Sequence, residues 1–482
     1  MNKTYSATPE YIKMLQEHAD KMKKRIINNI PDYSSSQNIY YVSNSGNDTN
    51  DGRSPQTAWA SLQKAESVTE EGAVVLFENG SFWWRKSSPV SRQSFFSTKN
   101  GVIYSRYGDV SRGLPTFSGS RENFAKPEYW VATEYENVYQ CTQKFNNVGI
   151  IAFNHDGSLE NYNAVVGKML FSRSDLTLDQ SSLNEDLQFY CNTKRTHEEV
   201  DDLYVYSTKG NPGERFDSIL IGENVSVIGM ADNCVIDGLR IQYSGGIAVG
   251  SGDICGATVK NCILDWIGGS KLSADSTYGN AIQVYGNAID CTFDGNWCYQ
   301  IYDCGITTQH TSGGTEDIHM RNNSISGNLL EYCYWGIEYW NQKSDTHLSS
   351  FENVRMNNNF IRFTGLGWGG VKFRYEWYDN KYIAEQSAAI CCFGLTPNSK
   401  DISVDNNIFE IADRTFIRMD YYGGECTERT GNTYVQNEGA PLFRLYGNEY
   451  VCSENSGEEI AELLGDDEYC FVIVPKKLEY FG

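Results

Sequence analysis

A short phrase recurs through the second half of the chain and leaves few folds open to it. It reads Gly246-Ile247-Ala248-Val249, Ala281-Ile282-Gln283-Val284, Gly305-Ile306-Thr307-Thr308, Gly336-Ile337-Glu338-Tyr339, Gly370-Val371-Lys372-Phe373, Phe416-Ile417-Arg418-Met419 and Leu442-Phe443-Arg444-Leu445. A second element, Asn followed by apolar residues, precedes most copies. It appears as Asn261-Cys262-Ile263, Asn296-Trp297, Asn323-Ser324-Ile325, Asn359-Phe360-Ile361, Asn407-Ile408-Phe409 and Asn432-Thr433-Tyr434, with Asp237-Gly238-Leu239 as its first member. The gap between the elements is 11 residues from Asp237 to Ala248, from Asn296 to Thr307 and from Asn407 to Arg418, 12 from Asn432 to Arg444 and 13 from Asn359 to Lys372. The gaps from Asn261 and Asn323 are longer and hold Gly- or Ser-rich insertions. Self-similarity at such a period marks a solenoid, a propeller or an array. The unit is short alternating apolar strands separated by turns, without helical periodicity. This pattern implies an all-β, right-handed parallel β-helix in which each coil pairs with the next at about 4.8 Å. The Asn residues are expected to stack coil on coil at an inward turn, where an amide satisfies backbone groups that a Leu could not.

A solenoid can run to 482 residues as a single unit. The net charge of -22 argues against nucleic acid and anionic membranes as partners, since both reward a basic surface. No window approaches the roughly 18–20 apolar residues of a membrane span. The segment Met1 to Asn29 is charged and amphipathic and lacks the apolar centre of a signal peptide, so the expected location is the cytoplasm. Cys234, Cys262, Cys298, Cys333 and Cys392 fall at strand positions of the repeat, as buried thiols in a reducing compartment would. No CxxC pair or His cluster has metal spacing, and no cofactor is expected. The oligomeric state is left open, a homo-oligomer included.

Residues 1–38 read as a helix and a Ser-rich connector, 39–120 as an entry cap with the first coils, 223–447 as the main coils and 448–482 as a C-terminal cap. Residues 121–222 break the repeat and read either as an insertion with a side sheet or as irregular early coils. The entry phrase runs Tyr40-Tyr41-Val42-Ser43-Asn44-Ser45-Gly46-Asn47-Asp48, through Gly52, Pro55, Trp59 and Ser61-Leu62-Gln63-Lys64-Ala65, to Gly72-Ala73-Val74-Val75-Leu76-Phe77. It gives a strand, an Asx/Gly turn and a short helix that would hide the first coil's strand edges. Over residues 40–120 and 223–447 the chain resembles the right-handed parallel β-helix enzymes of the pectate-lyase-like superfamily. That resemblance implies the fold and a carbohydrate-active enzyme, either a glycoside hydrolase or a polysaccharide lyase. The Asp-Asp, His-Gly and Arg-Ile-Lys signatures of polygalacturonases are missing, so it carries over no catalytic residue.

In each phrase the apolar flankers point inward and the variable residue points to solvent. One outward column is then Ala248, Gln283, Thr307, Glu338, Lys372, Arg418 and Arg444. Two residues further along runs a second: Gly250, Tyr285, Gln309, Trp340, Arg374, Asp420 and Tyr446. Carboxylate, guanidinium, amide and aromatic groups side by side are the inventory of a sugar-binding groove, because aromatic faces cover sugar C–H faces while polar groups take hydroxyls. A solvated charged face, with Glu338 paired to Lys372, is the plainer alternative.

Glycoside hydrolysis usually needs two carboxyl groups, about 5–5.5 Å apart for retention or about 6.5–9.5 Å for inversion. Glu338 is the acid at a central outward position. Asp303 lies at the bend into the same sheet one coil earlier, and the two form the expected catalytic pair. Asp420 and Glu376 are further acid candidates. Gln283, Tyr285, Gln309, His310, Trp340, Lys372, Arg374, Glu376, Arg418 and Asp420 are expected to contact substrate. The expected activity is hydrolysis of a short oligosaccharide of plant or host origin. One alternative is β-elimination on a uronate with a Lys or Arg base drawn from Lys372, Arg374 and Arg418; calcium would enter only on that reading. The other is a non-catalytic carbohydrate-binding solenoid.

Overall fold

The repeats coil. The computed structural model describes residues 3–86, 94–154, 165–170, 178–191, 200–273, 276–310, 317–341, 348–370, 386–420, 426–476 and 478. Successive copies of the phrase lie side by side as parallel strands. The coils build three long sheets of ten, eleven and thirteen strands, so the body of the molecule is a parallel β-helix. The Gly-Ile phrase builds the ten-stranded sheet, hereafter the groove sheet. The strands that follow the Asn element build the eleven-stranded sheet. One apolar cluster fills the interior from Tyr40 and Val42 at the entry to Tyr434 and Phe471 at the far end. Helix α2, Leu62–Glu66, places Leu62 and Ala65 on that core beside Val42 and Trp59, closing the first coil.

The expected Asn stack exists, with Asn328 in place of Asn323 and Asn261 outside it. Asn296, Asn328, Asn359, Asn407 and Asn432 form the ladder, each at most 1% exposed. Each side-chain N–H donates to the next Oδ1, at 3.1 Å from Asn296, 2.9 Å from Asn328, 3.0 Å from Asn359 and 3.1 Å from Asn407. The same oxygens accept the backbone N–H of the preceding Asn, and the second amide proton goes to a strand carbonyl such as Phe293 O or Ile325 O. Asn432 donates to a carboxylate instead, Asp466 Oδ2, at 2.9 Å. Asn261 and Asn323 stand outside this column: Asn261 bonds Asp237, and Asn323 serves a different turn through Ala288 O and Cys291 N. Counting from Asn328 rather than Asn323 brings the gap to Glu338 down to 10 residues, which removes the apparent insertion there.

Helix α1, Pro9–Asn28, straps the outside of the eleven-stranded sheet. Thr8 caps its N-terminus by accepting from Tyr11 N–H at 3.2 Å, and Pro9 suits the first turn. Leu15, Ala19, Met22 and Ile26 form one buried stripe at helical spacing. They pack on Ile263, Trp297, Leu329, Phe360 and Val435, residues of different coils. The strand before the helix, Lys3–Ser6, pairs in parallel with Cys470–Val474 of the last coil. At the other end Arg106 donates to the carbonyls of Ile26 and Ile27 at 2.9 and 3.1 Å, and Tyr33 donates to Asp237 at 2.8 Å. The strap therefore runs from the last coil back to the first. Beneath it lies a buried charge cluster: Lys23 to Glu331 at 2.9 Å, Arg362 to Glu331 at 3.6 Å and Arg362 to Glu410 at 2.7 Å. Among the described residues no helix is long and apolar enough to cross a membrane.

The region 121–222 leaves the coils between Thr116–Ser118 of the eleven-stranded sheet and Ser226–Gly229 of the groove sheet. It holds a five-stranded and a three-stranded sheet around a core of its own, with Phe124, Trp130, Phe145, Ile151, Phe189 and Val205. Glu223 ties it to the first coils by pairing with Arg85 and, at 3.0 Å, with Arg121. The hairpin Ser270–Lys271/Thr277–Tyr278 and the segment around Trp368 leave the solenoid at the same turn. They pack into one wall along the groove sheet: Asn147 exchanges bonds with Lys271 at 2.8 and 2.9 Å, and Trp368 covers Tyr302 with ring centroids 4.9 Å apart.

Candidate active site

The groove sheet's strands set the floor. Gly250 pairs with Gln283, Gln283 with Thr307, Thr307 with Glu338, Glu338 with Cys391, Cys391 with Arg418 and Arg418 with Arg444. This column departs from the sequence reading at two rungs. Val249, not Ile247, is level with Ile282, so Gly250 takes the outward position and Ala248 is buried in the core. The rung beyond Glu338 is Cys391 of the strand Ala388–Cys392, not Lys372. That strand was hidden because Ala389-Ile390-Cys391-Cys392 has no polar residue at its variable position. Lys372, Arg374 and Glu376 lie outside the described residues.

Glu338 is the acid on this floor and is only 7% exposed. Its Oε2 accepts from the Thr307 hydroxyl at 3.1 Å and its Oε1 from the Trp340 indole N–H at 3.2 Å. Two buried thiols flank it. Burial first, and then the charges of Glu338 and Asp303, push the Cys304 thiol well above its usual range. Burial and the charge of Glu338 do the same to Cys391. Both thiols therefore stay neutral, and neither is a nucleophile in this setting.

Asp303 sits at the bend between Trp297–Ile301 and Cys304–His310, at the foot of the wall. Its N–H donates to Gly279 O at 3.1 Å and its carbonyl accepts from Trp335 N–H at 2.9 Å. It is partly exposed on the coil before that of Glu338, and its charge acts on the same Cys304 thiol.

The second outward column brings Tyr285, Gln309 and Trp340 into register. Tyr285 is 39% exposed, with its ring 5.3 Å from that of His310. Gln309, His310 and Trp340 are half-buried. Gln283 accepts from the side-chain amide of Asn280 at 2.6 Å. Arg418 is 3% exposed and turned onto Asp420, which it holds through Nε at 3.0 Å and Nη2 at 2.6 Å. Its Nη1 reaches Gln386 O at 3.4 Å, and its guanidinium lies 5.3 Å from the ring of Phe393 and 5.7 Å from that of Trp335.

Sequence reasoning did not single out Phe393, Trp335, Cys304 or Asn280. All four occupy positions outside the variable site of the phrase, and Phe393 follows the strand whose phrase was unreadable. Among the described residues no three His, Cys, Asp or Glu groups converge as a metal site.

No protein-family model matches the chain, and no curated protein matches it. Among solved structures it is similar to a glycoside hydrolase, with 10% identity, 92% of this chain and 97% of that one covered and a TM-score of 0.46. A structure of XylC with xylose shares 12% identity over 91% of this chain and 82% of its own, with a TM-score of 0.42. The GH136 lacto-N-biosidase from Eubacterium ramulus shares 10% identity over 97% and 70%, with a TM-score of 0.41.

Proposed function

We propose that the chain is a glycoside hydrolase acting on an oligosaccharide of plant or host origin, with Glu338 as one catalytic carboxyl and Asp303 as its partner. The observation that carries this reading is the setting of Glu338. It stands on an outward column of the sheet, has a donor on each oxygen, and has the aromatic column of Tyr285 and Trp340 alongside. Sugar rings would stack on those faces, and Gln283, Gln309 and His310 would take hydroxyls. One carboxyl would protonate the leaving oxygen while the other attacks carbon or activates water. Elimination on a uronate would draw its base from Lys372, Arg374 and Arg418; of these Arg418 is engaged by Asp420 and Gln386, while Lys372 and Arg374 lie outside the described residues.

The test is a panel of 4-nitrophenyl glycosides, neutral oligosaccharides and polyuronates, followed for reducing sugar and for absorbance of an unsaturated product. Hydrolysis without unsaturated product is expected, lost by about 10²–10⁴-fold in Glu338→Gln and Asp303→Asn. Full activity in Glu338→Gln would falsify the assignment.

A further inference from the structure

We propose that Trp340 is a positioning residue for Glu338, coupling occupancy of the groove to the orientation of that carboxyl. The inference rests on the hydrolase reading and adds a device to it. An indole N–H can only donate, so Oε1 of Glu338, 3.2 Å away, is held as an acceptor. A donor on Oε1 favours placing the proton that Glu338 gives or takes on Oε2, which faces the Thr307 hydroxyl at 3.1 Å. A hydroxyl both donates and accepts, so it serves Oε2 in either protonation state. The two contacts distinguish two chemically equivalent oxygens.

Trp340 is itself seated from behind. Its ring meets Phe393 edge-on, with centroids 6.0 Å apart at 87°, and Phe393 meets Trp335 at 5.6 Å and 81°. The Arg418 guanidinium, fixed by Asp420, lies against both of those rings. Asp420 and Arg418 thus support Phe393, Phe393 supports the indole, and the indole N–H aims Glu338. Trp340 is half-buried and level with Gln309 on the previous coil. A sugar stacked there would press on the same ring that holds Oε1. Substrate binding and alignment of the carboxyl are therefore mechanically one event.

The test separates the N–H from the ring face. Trp340→Phe keeps a stacking face and removes the donor; Trp340→Ala removes both. On whichever 4-nitrophenyl glycoside is turned over, Trp340→Phe is expected to lower kcat about 10–100-fold, the scale of a misplaced catalytic group, with KM changed less than about threefold. It should also displace the pH profile limb that Glu338→Gln abolishes. Trp340→Ala is expected to raise KM as well. A second measurement needs no turnover: the indole ¹H–¹⁵N resonance of Trp340, assigned by its loss in Trp340→Phe, should move with pH in the wild-type protein and stand still in Glu338→Gln. Wild-type kcat and pH profile in Trp340→Phe, or an indole resonance indifferent to Glu338→Gln, overturns the proposal. If no glycoside is hydrolysed, the hydrolase reading fails, and the resonance still decides whether the indole is coupled to Glu338.

Discussion

Lys23 of the N-terminal helix meets Glu331 of the solenoid at 2.9 Å, and their side chains are only 7% and 2% exposed. Glu331 also accepts from the Trp297 indole at 2.8 Å, so the pair is buried with its lone pairs in use. Removing Lys23 leaves Glu331 with the Arg362 guanidinium at 3.6 Å and the Trp297 indole, and breaking a buried pair costs up to about 3–5 kcal/mol. Lys23→Met is expected to lower the unfolding free energy measured in urea by up to that amount, and Lys23→Met/Glu331→Gln to recover part of it. Equal destabilisation by the single and double variants would count against the pair.

Glu410 gives the same interface a pH dependence. Burial, partly offset by Arg362, pushes its carboxyl up from the ordinary 4.5 to about 7. The folded chain then holds a proton that the unfolded chain releases between these values. The contribution is complete below about pH 4.5 and is lost as pH rises through about 7. Glu410→Gln is expected to flatten that part of the stability profile, measured as thermal midpoint against pH. An unchanged slope would remove Glu410 as its source.

Asn359 tests the ladder. Asn359→Leu leaves the N–H groups of Asn328 and the Oδ1 of Asn407 short of partners inside the solenoid. At about 1–3 kcal/mol for each buried group left unsatisfied, the variant is expected to unfold several degrees lower, if it folds. Asn359→Asp keeps the acceptor for Asn328 but sets a second oxygen against Ile325 O and Asn407 Oδ1, so it too should unfold below wild type in a calorimetric scan.

Gly279 tests the wall. Its φ of 149° and its close approach to the backbone of Gly268 leave no room for a Cβ. Its carbonyl also accepts the N–H of Asp303 at 3.1 Å. Gly279→Ala is expected to cost about 1–3 kcal/mol and, on the proposed hydrolase reading, to reduce turnover by more than the stability loss accounts for, because the bend at Asp303 moves with it. Activity per folded molecule, at a temperature where both proteins are native, is the measurement.

The coil and part of the outward column were legible because period-two apolar alternation survives on one strand of nearly every turn. Gln283, Thr307 and Glu338 fell into one column for that reason. The failures have local causes. Cys391 erased the polar mark of its rung, and the column was handed to Lys372. Ile247 and Val249 are both apolar, so the alternation did not show which of them lies level with Ile282. Asn328 was passed over for Asn323 because each stands just ahead of a short strand with an apolar residue, Ile325 or Leu329, and only the coil geometry shows which amide joins the ladder. The role of the N-terminal helix was out of reach, since Lys23, Glu331 and Arg362 are far apart in sequence and charged residues ordinarily read as surface.

The Asn-to-Asn bonds of the ladder have a direction: each amide gives one proton to the ladder member on its C-terminal side, and Asp466 receives the last. A carboxylate has no amide proton to pass on, so Asp466 acts as a chain terminator in the polymer sense. Asp466 also accepts the backbone N–H of Gly431 and Asn432, at 2.9 and 3.1 Å, just ahead of the last coil's strand Cys470–Val474. The number of coils is thereby written at one residue. Lengthening the solenoid by duplication should succeed when the copied turn is spliced between Asn407 and Asn432, and fail when it is appended beyond Asp466.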